Sequence, residues 1–265
     1  MVELILFPCQ EKNRCYESIK DSLEEILDIP LYKFSGKCSY KECVLVFKES
    51  EAYKLESSVK QYTKQGSEAS GDSYAIKTLD NSNRYIALCD GSGSGIKASE
   101  YSLSTLRLLE EFLKTGFSKS ASIKLINSSL IFNSESDYFS TIDLSIVDLK
   151  NGELEIVKKG ASPTYIKRAN GEFEIIRDNT FPVGVTDSIK NNIKKLRLKE
   201  NDIIIMISDG IFNCLNKEDW IIDALKAIKS DDEDCISDLI MKIATSTENK
   251  DKDDMTVIVS KIKKV

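Results

Sequence analysis

Tyr85-Ile86-Ala87-Leu88-Cys89-Asp90-Gly91-Ser92-Gly93-Ser94-Gly95 sets an apolar strand directly against an acidic residue and a run of glycines. Helical periodicity follows from about Ile96 to Lys114, with Tyr101, Leu106, Leu108, Leu109, Phe112 and Leu113 as its apolar positions, a breadth that predicts a well-buried helix. The arrangement recurs downstream. Residues 202–208 are almost wholly apolar after Asp202, end in Asp209-Gly210, and are followed by helical patterns over 217–228 and 233–245. Asp-Gly is a common turn dipeptide, and either pair alone reads as a plain turn. Here each closes an apolar strand and precedes a helix, which a hairpin turn does not require.

Between these two steps the chain reads as helical hairpin, then antiparallel meander. A second helix is predicted over 119–131, separated from the first by Gly116. Ile142, Leu144 and Ile146 alternate with Thr141, Asp143 and Ser145. Asn151-Gly152 and Asn170-Gly171 then punctuate two alternating runs, and that dipeptide tolerates the positive φ angles of a tight hairpin. Residues 255–262 close the chain as a strand buried on both faces. Strands and helices in blocks favour a layered α+β sandwich over an alternating parallel fold. Residues 1–65 differ in character: a helix over 11–27, with Ile19, Leu23, Ile26 and Leu27 on one face, stops at Pro30, and 53–62 reads as strand or extended linker. The small-residue stretch 65–71 places the start of the main domain near residue 66, giving an N-terminal segment 1–65 and a domain 66–265.

Composition narrows the chemistry. The 265 residues contain no histidine, so histidine-activated nucleophiles and histidine-ligated zinc are excluded. A net charge of −6 argues against broad nucleic-acid binding, which needs a basic face. Seven scattered cysteines read as reduced thiols of a cytoplasmic protein, with a four-cysteine metal clip near the N-terminus (Cys9, Cys15, Cys38, Cys43) as the lesser alternative. No apolar run is long enough to span a bilayer, and no signal-peptide layout is present, so the chain is expected to be soluble.

Asp72, Asp90, Asp209 and the pair Asp253-Asp254 all lie at the ends of strand-like runs. Strand termini hold a side chain in constant geometry, and converging carboxylates raise one another's pKa unless a cation sits between them. An oxygen-only ligand set favours Mg²⁺ or Mn²⁺. The glycine-serine stretch 91–95 lacks the lysine of a P-loop and matches no dinucleotide motif, so a nucleotide site there is disfavoured.

Ser70-Gly71-Asp72-Ser73-Tyr74, Cys89-Asp90-Gly91-Ser92-Gly93-Ser94-Gly95, Ser140-Thr141-Ile142-Asp143-Leu144, Ser208-Asp209-Gly210-Ile211-Phe212 and Asp253-Asp254-Met255-Thr256-Val257 occur in the order and rough spacing of the PPM (PP2C-like) phosphatases. The resemblance covers roughly 70–265 and is strongest to the phosphatase domains of the stage II sporulation protein E group; more weakly, 9–66 is similar to the regulatory segment before that domain. The many membrane helices of that group are absent, which implies a soluble fragment or a compact relative, with tethering to a membrane conceivable only in a longer parent.

The resemblance implies an αββα sandwich of two antiparallel sheets flanked by helix pairs. It implies two Mn²⁺ or Mg²⁺ ions, with Asp90 bridging them, the Gly91 carbonyl on one, Asp209 and Asp253 on the second, and Asp72 on coordinated water. Asp254 stands where many relatives have Asn, so Asp253 is the expected ligand of that pair. Metal-activated water would attack phosphorus directly. The implied substrate is phosphoserine on a STAS-domain anti-sigma-factor antagonist; a catalytically weak partner-switching module of the same fold is the competing reading. Many relatives carry histidine where this chain has Ser92, so the proton for the departing serine is expected to come from water at the ions. The helices over 96–131 directly follow the Asp90 loop and could open or close the site, and the helix over 11–27 is a candidate lever or homodimer contact.

Overall fold

The chain divides into two compact units, residues 1–53 with Val265, and 54–264. The computed structural model describes residues 1–7, 15–39, 42–79, 82–133, 139–186, 192–215, 220–228, 230–247 and 252–265. In the first unit, β1 (Val2–Leu6), α1 (Cys15–Leu27), β2 (Leu31–Cys38) and β3 (Cys43–Glu49) build a three-stranded antiparallel sheet of order β1-β3-β2 under one helix. Tyr16, Ile19 and Leu23 of α1 pack on Leu31, Cys43, Leu45 and Phe47. Ile26 and Leu27, expected on the same face, are instead exposed, because the stripe that meets the small sheet ends one turn earlier. Cys38 and Cys43 are register partners across β2 and β3, with their sulfurs 3.1 Å apart. Cys9 and the part of the helix expected over 11–14 lie outside the described residues.

The second unit follows the order β4 (Tyr53–Tyr62), β5 (Asp72–Thr78), β6 (Asn83–Asp90), α2 (Ile96–Lys114), α3 (Lys119–Asn133), β7 (Ile142–Asp148), β8 (Glu153–Lys159), β9 (Thr164–Lys167), β10 (Phe173–Ile176), β11 (Ile193–Arg197), β12 (Ile203–Ile207), α4 (Asp209–Phe212), α5 (Trp220–Ala227), α6 (Glu233–Ser246) and β13 (Met255–Lys264). Two five-stranded sheets result, ordered β11-β8-β7-β6-β5 and β10-β9-β12-β13-β4. The first is antiparallel throughout, as are the β10-β9-β12-β13 pairings of the second. Both Asn-Gly turns form as predicted, with Gly152 at φ +76° and Gly171 at φ +86°.

Each sheet buries one face under helices. Tyr85, Ala87, Cys89, Ile142, Leu144 and Ile146 pack with Leu106, Leu109 and Leu113 of α2 and with Ile123, Ile126 and Leu130 of α3. Ile203, Ile205, Ile207, Val257 and Val259 pack with Trp220, Ile221, Ile236 and Ile240 of α5 and α6. Fully burying one such side chain contributes roughly 1.5–3 kcal/mol. Period-2 alternation turns the intervening residues to the other face. That face is buried too: Asp143 and Ser145 of β7, which alternation alone reads as the wet side of a half-buried strand, are at most 1% exposed. No helix among the described residues is long and apolar enough to cross a membrane.

The break between units falls after Tyr53, twelve residues before the boundary expected from composition near residue 65. β4 is the reason: it forms the edge of the second sheet beside β13 rather than a linker. Ser57 Oγ lies 2.7 Å from Ser260 Oγ, Ser58 Oγ lies 2.8 Å from Ser237 Oγ, and Gln61 Nε2 donates to the Asp72 carbonyl at 3.0 Å and to Thr256 Oγ1 at 3.2 Å. A chain begun at residue 66 should therefore unfold at lower urea than one begun at residue 53, by about 2 kcal/mol or more, since buried hydroxyls lose their partners. Coincident unfolding midpoints for the two truncations would show that β4 is dispensable.

Candidate active site

Four carboxylates lie at or next to strand ends of the two sheets. Asp72 opens β5 and Asp90 closes β6, and the two are directly opposed in the register of that pair. Asp209 is the second residue after β12 and begins α4, while Asp253 lies two residues before β13, so adjacent strands of the second sheet bring both to the same end.

The two Asp-Gly steps are sterically required. A Cβ on Gly91 would lie 2.1 Å from the Ala98 carbonyl oxygen, and one on Gly210 would lie 2.1 Å from the Asp254 carbonyl oxygen. Neither glycine is there for a positive φ; each allows backbone to approach backbone beside an acidic side chain. Thr141, which carries no role in the sequence beyond its motif, clamps Asp90 from both sides: the Asp90 N–H donates to Thr141 Oγ1 at 2.9 Å, and the Thr141 N–H donates to the Asp90 carbonyl at 2.8 Å. A hydroxyl residue at the edge of a strand was the only sequence signal for it. Ser208 and Thr256 fix the other side, with the Ser208 N–H donating to the Thr256 carbonyl and the Thr256 N–H donating to Ser208 Oγ.

Asp254 has a different occupation from its neighbour. Its carboxylate accepts the Lys64 N–H and the Gly71 N–H, each at 2.8 Å, and is 4% exposed. It thereby ties the segment before Asp72 to the start of β13. Asp253 is exposed, its Oδ1 accepting the Asp254 N–H at 3.0 Å with Lys64 Nζ 3.6 Å away, and its charge reaches Asp90. Ser92 is also engaged structurally: its Oγ accepts the Phe139 N–H at 3.2 Å, and its own N–H donates to the Phe139 carbonyl at 2.9 Å. The glycine-serine loop lines a separate cavity of about 490 Å³ with Gly66, Ser67 and Glu68, into which none of the four carboxylates projects.

Electrostatics mark the cluster. Burial pushes the Asp90 carboxyl up to about 9, and the charges of Asp72, Asp209 and Asp253 add to the rise. Burial likewise pushes Asp72 up to about 7, with Asp209 and Asp254 contributing, while the Ser208 and Thr256 hydroxyls offset part of this; both Asp72 oxygens are buried and lack a hydrogen-bond partner among the described residues. Asp209 is open to solvent along one edge, yet the protein packed on its other side and the Asp253 charge raise it as well. It borders two cavities, one of about 160 Å³ shared with Asp253 and one of about 40 Å³ shared with Asp90.

An oxygen-only donor set with repelling, partly orphaned carboxylates fits a hard divalent cation. Among the described residues no three such groups already converge as a ready-made cage. Mg²⁺ does not require one, since it is held by one or two carboxylates with retained water.

Two facing antiparallel sheets covered by helix pairs, with aspartates at the strand ends, are the architecture of the PP2C phosphatase domain. The chain belongs to the stage II sporulation protein E (SpoIIE) family, whose model matches residues 80–263. It is 31% identical over 269 residues to stage II sporulation protein E of Priestia megaterium, covering 98% of this chain and 46% of that protein, and so spans less than half of that relative's length. It is 23% identical over 197 residues to the phosphoserine phosphatase RsbP of Bacillus subtilis, covering 72% of this chain and 48% of that protein. Among solved structures, the PP2C phosphatase domain with a fragment of the regulatory domain of SpoIIE from Bacillus subtilis matches 99% of this chain and 79% of that one, at 29% identity and a TM-score of 0.83.

The raised carboxyls carry a pH signature. Their folded pKa values exceed the unfolded value of about 4, so the stability they contribute is complete below about pH 4 and is lost as pH rises through about 7 and then about 9. In chelator, the melting temperature should fall between pH 5 and pH 9, and added Mn²⁺ should raise it most at the alkaline end. A flat chelator profile with no added stabilisation by Mn²⁺ would contradict the cluster's electrostatics.

Proposed function

We propose that this chain is a metal-dependent protein serine/threonine phosphatase that hydrolyses phosphoserine on a STAS-domain anti-sigma-factor antagonist in the cytoplasm. The convergence of Asp72, Asp90, Asp209 and Asp253 at one end of the sandwich carries the reading. Asp90, the Gly91 carbonyl, Asp209 and Asp253 would hold two Mg²⁺ or Mn²⁺ ions. Such ions, when bound, supply an acidified water for attack on phosphorus and neutralise charge on the phosphoryl oxygens.

The chain's own residues do the positioning. Thr141 fixes the Asp90 backbone, Gly91 brings that backbone against α2, and Gly210 brings Asp209 beside the segment that carries Asp253. Asp72, buried with both oxygens unpartnered, accepts a proton from water on the attacking side. Asp254 does not act as a ligand in this scheme, because two backbone N–H groups already occupy it. No imidazole is available to protonate the departing serine oxygen, and the Ser92 hydroxyl serves the backbone, so that proton comes from water. The STAS partner is supported by the family resemblance and not by any feature of the surface. The N-terminal unit, 1–53, takes a regulatory role in the same reading.

Release of phosphate from a phosphoserine STAS domain should require Mn²⁺ or Mg²⁺, and Asp209→Asn should lower kcat by about 10²-fold or more. The rate should show no ionisation near pH 6–7 of imidazole origin. Ser92→Ala should stay within a few-fold of the unsubstituted protein. An unsubstituted protein that binds the STAS partner but releases no phosphate would replace the enzyme with a partner-switching module, and a dead Ser92→Ala that remains folded would return the proton to that hydroxyl.

A further inference from the structure

Behind the carboxylate cluster, Lys158, Asp143 and Thr164 close a polar triangle in the interior. Lys158 Nζ donates to Asp143 Oδ2 at 2.5 Å and to Thr164 Oγ1 at 2.7 Å, and the Thr164 hydroxyl donates to the same Asp143 oxygen at 2.6 Å. Lys158 is 2% exposed, Asp143 1% and Thr164 0%. Asp143 and Lys158 are register partners on β7 and β8, whereas Thr164 opens β9 of the opposite sheet, so the triangle ties the two sheets together.

Both contacts to Asp143 fall on Oδ2. Asp143 Oδ1 is buried and has no hydrogen-bond partner among the described residues. The 40 Å³ cavity is lined by Asp143 together with Asp90, Asp209, Thr141 and Ser208. A polar cavity of that size accommodates a water molecule, which needs two to four polar partners, and these side chains can supply them. A buried lysine–aspartate pair is a poor device for stability alone, because desolvating two charges offsets their attraction. Its place here is explained if it orders something else.

We propose that Asp143, held by Lys158 and Thr164, is a positioning residue that orients Asp90 and Asp209 for the divalent ion through a water in the shared cavity. The inference rests on reading those carboxylates as the metal site. Lys158 and Thr164, neither of which lines the cavity, hold Asp143 through Oδ2 and leave Oδ1 without a partner among the described residues.

Direct titration of the full chain with Mn²⁺ by calorimetry, alongside melting in chelator, tests it. Asp143→Asn keeps the shape, and the double variant Asp143→Asn with Lys158→Met removes both buried charges, so that neither is left unpaired if a single change unfolds the chain. The expected result is an Mn²⁺ affinity about 10- to 100-fold weaker in the folded variants. A merely structural triangle would lower the melting temperature and leave the Mn²⁺ affinity of the folded protein within about threefold, and that outcome overturns the proposal. Unsubstituted protein that takes up no Mn²⁺ would overturn the metal reading itself, which is distinguishable from affinity that survives both substitutions.

Discussion

Repulsion around the Asp72 and Asp90 carboxyls is the constraint on which the rest of the architecture depends. Burial together with neighbouring carboxylate charge raises Asp72, Asp90 and Asp209 alike, so on a flexible scaffold these groups would separate. They are held because each sits at the end of a strand whose remaining residues are locked in apolar layers. Asp90 closes a strand of which five residues, Arg84 to Leu88, are paired on both sides, and Asp209 is separated only by Ser208 from the five consecutive buried residues of β12. The hydrophobic core thus does electrostatic work at its rim, storing a charge arrangement that the proposed divalent cation would relieve.

Backbone contacts convert this general rigidity into placement. Gly91 and Gly210 are the points where one strand end touches the chain of a neighbouring element with no room for a side chain. Asp254 draws the 64–71 segment against β13 through two N–H groups, setting the start of β5 and with it Asp72. Of two adjacent aspartates, one is consumed in building the site and its neighbour is left for chemistry. The lack of histidine fits this division, because positioning here falls to hydroxyls and backbone and not to imidazole.

Much of this was legible in the sequence where chemistry coincides with punctuation. An apolar strand stopped by Asp-Gly before a helix marks both Asp90 and Asp209, and Asn-Gly marks the hairpins. What was not legible has a common physical cause: partners distant along the chain. The 53–62 stretch reads no further than strand or extended linker because the neighbour of β4, β13, lies at the opposite end of the sequence, and β1 and β2 depend on each other through β3. Asp143 and Ser145 read as a solvent-facing edge because alternation reports which residues differ, not what covers them. Lys158, in a strand of otherwise ordinary alternation, shows nothing of its burial until the second sheet places Thr164 against it.

Anomalous scattering from crystals of the full chain soaked in Mn²⁺ tests the central claim most directly. The account predicts two manganese peaks that share Asp90, one also at the Gly91 carbonyl and the other also at Asp209 and Asp253, with Asp254 still on its backbone partners. Manganese bound elsewhere, or no peak at these aspartates under conditions that stabilise the protein, would contradict it.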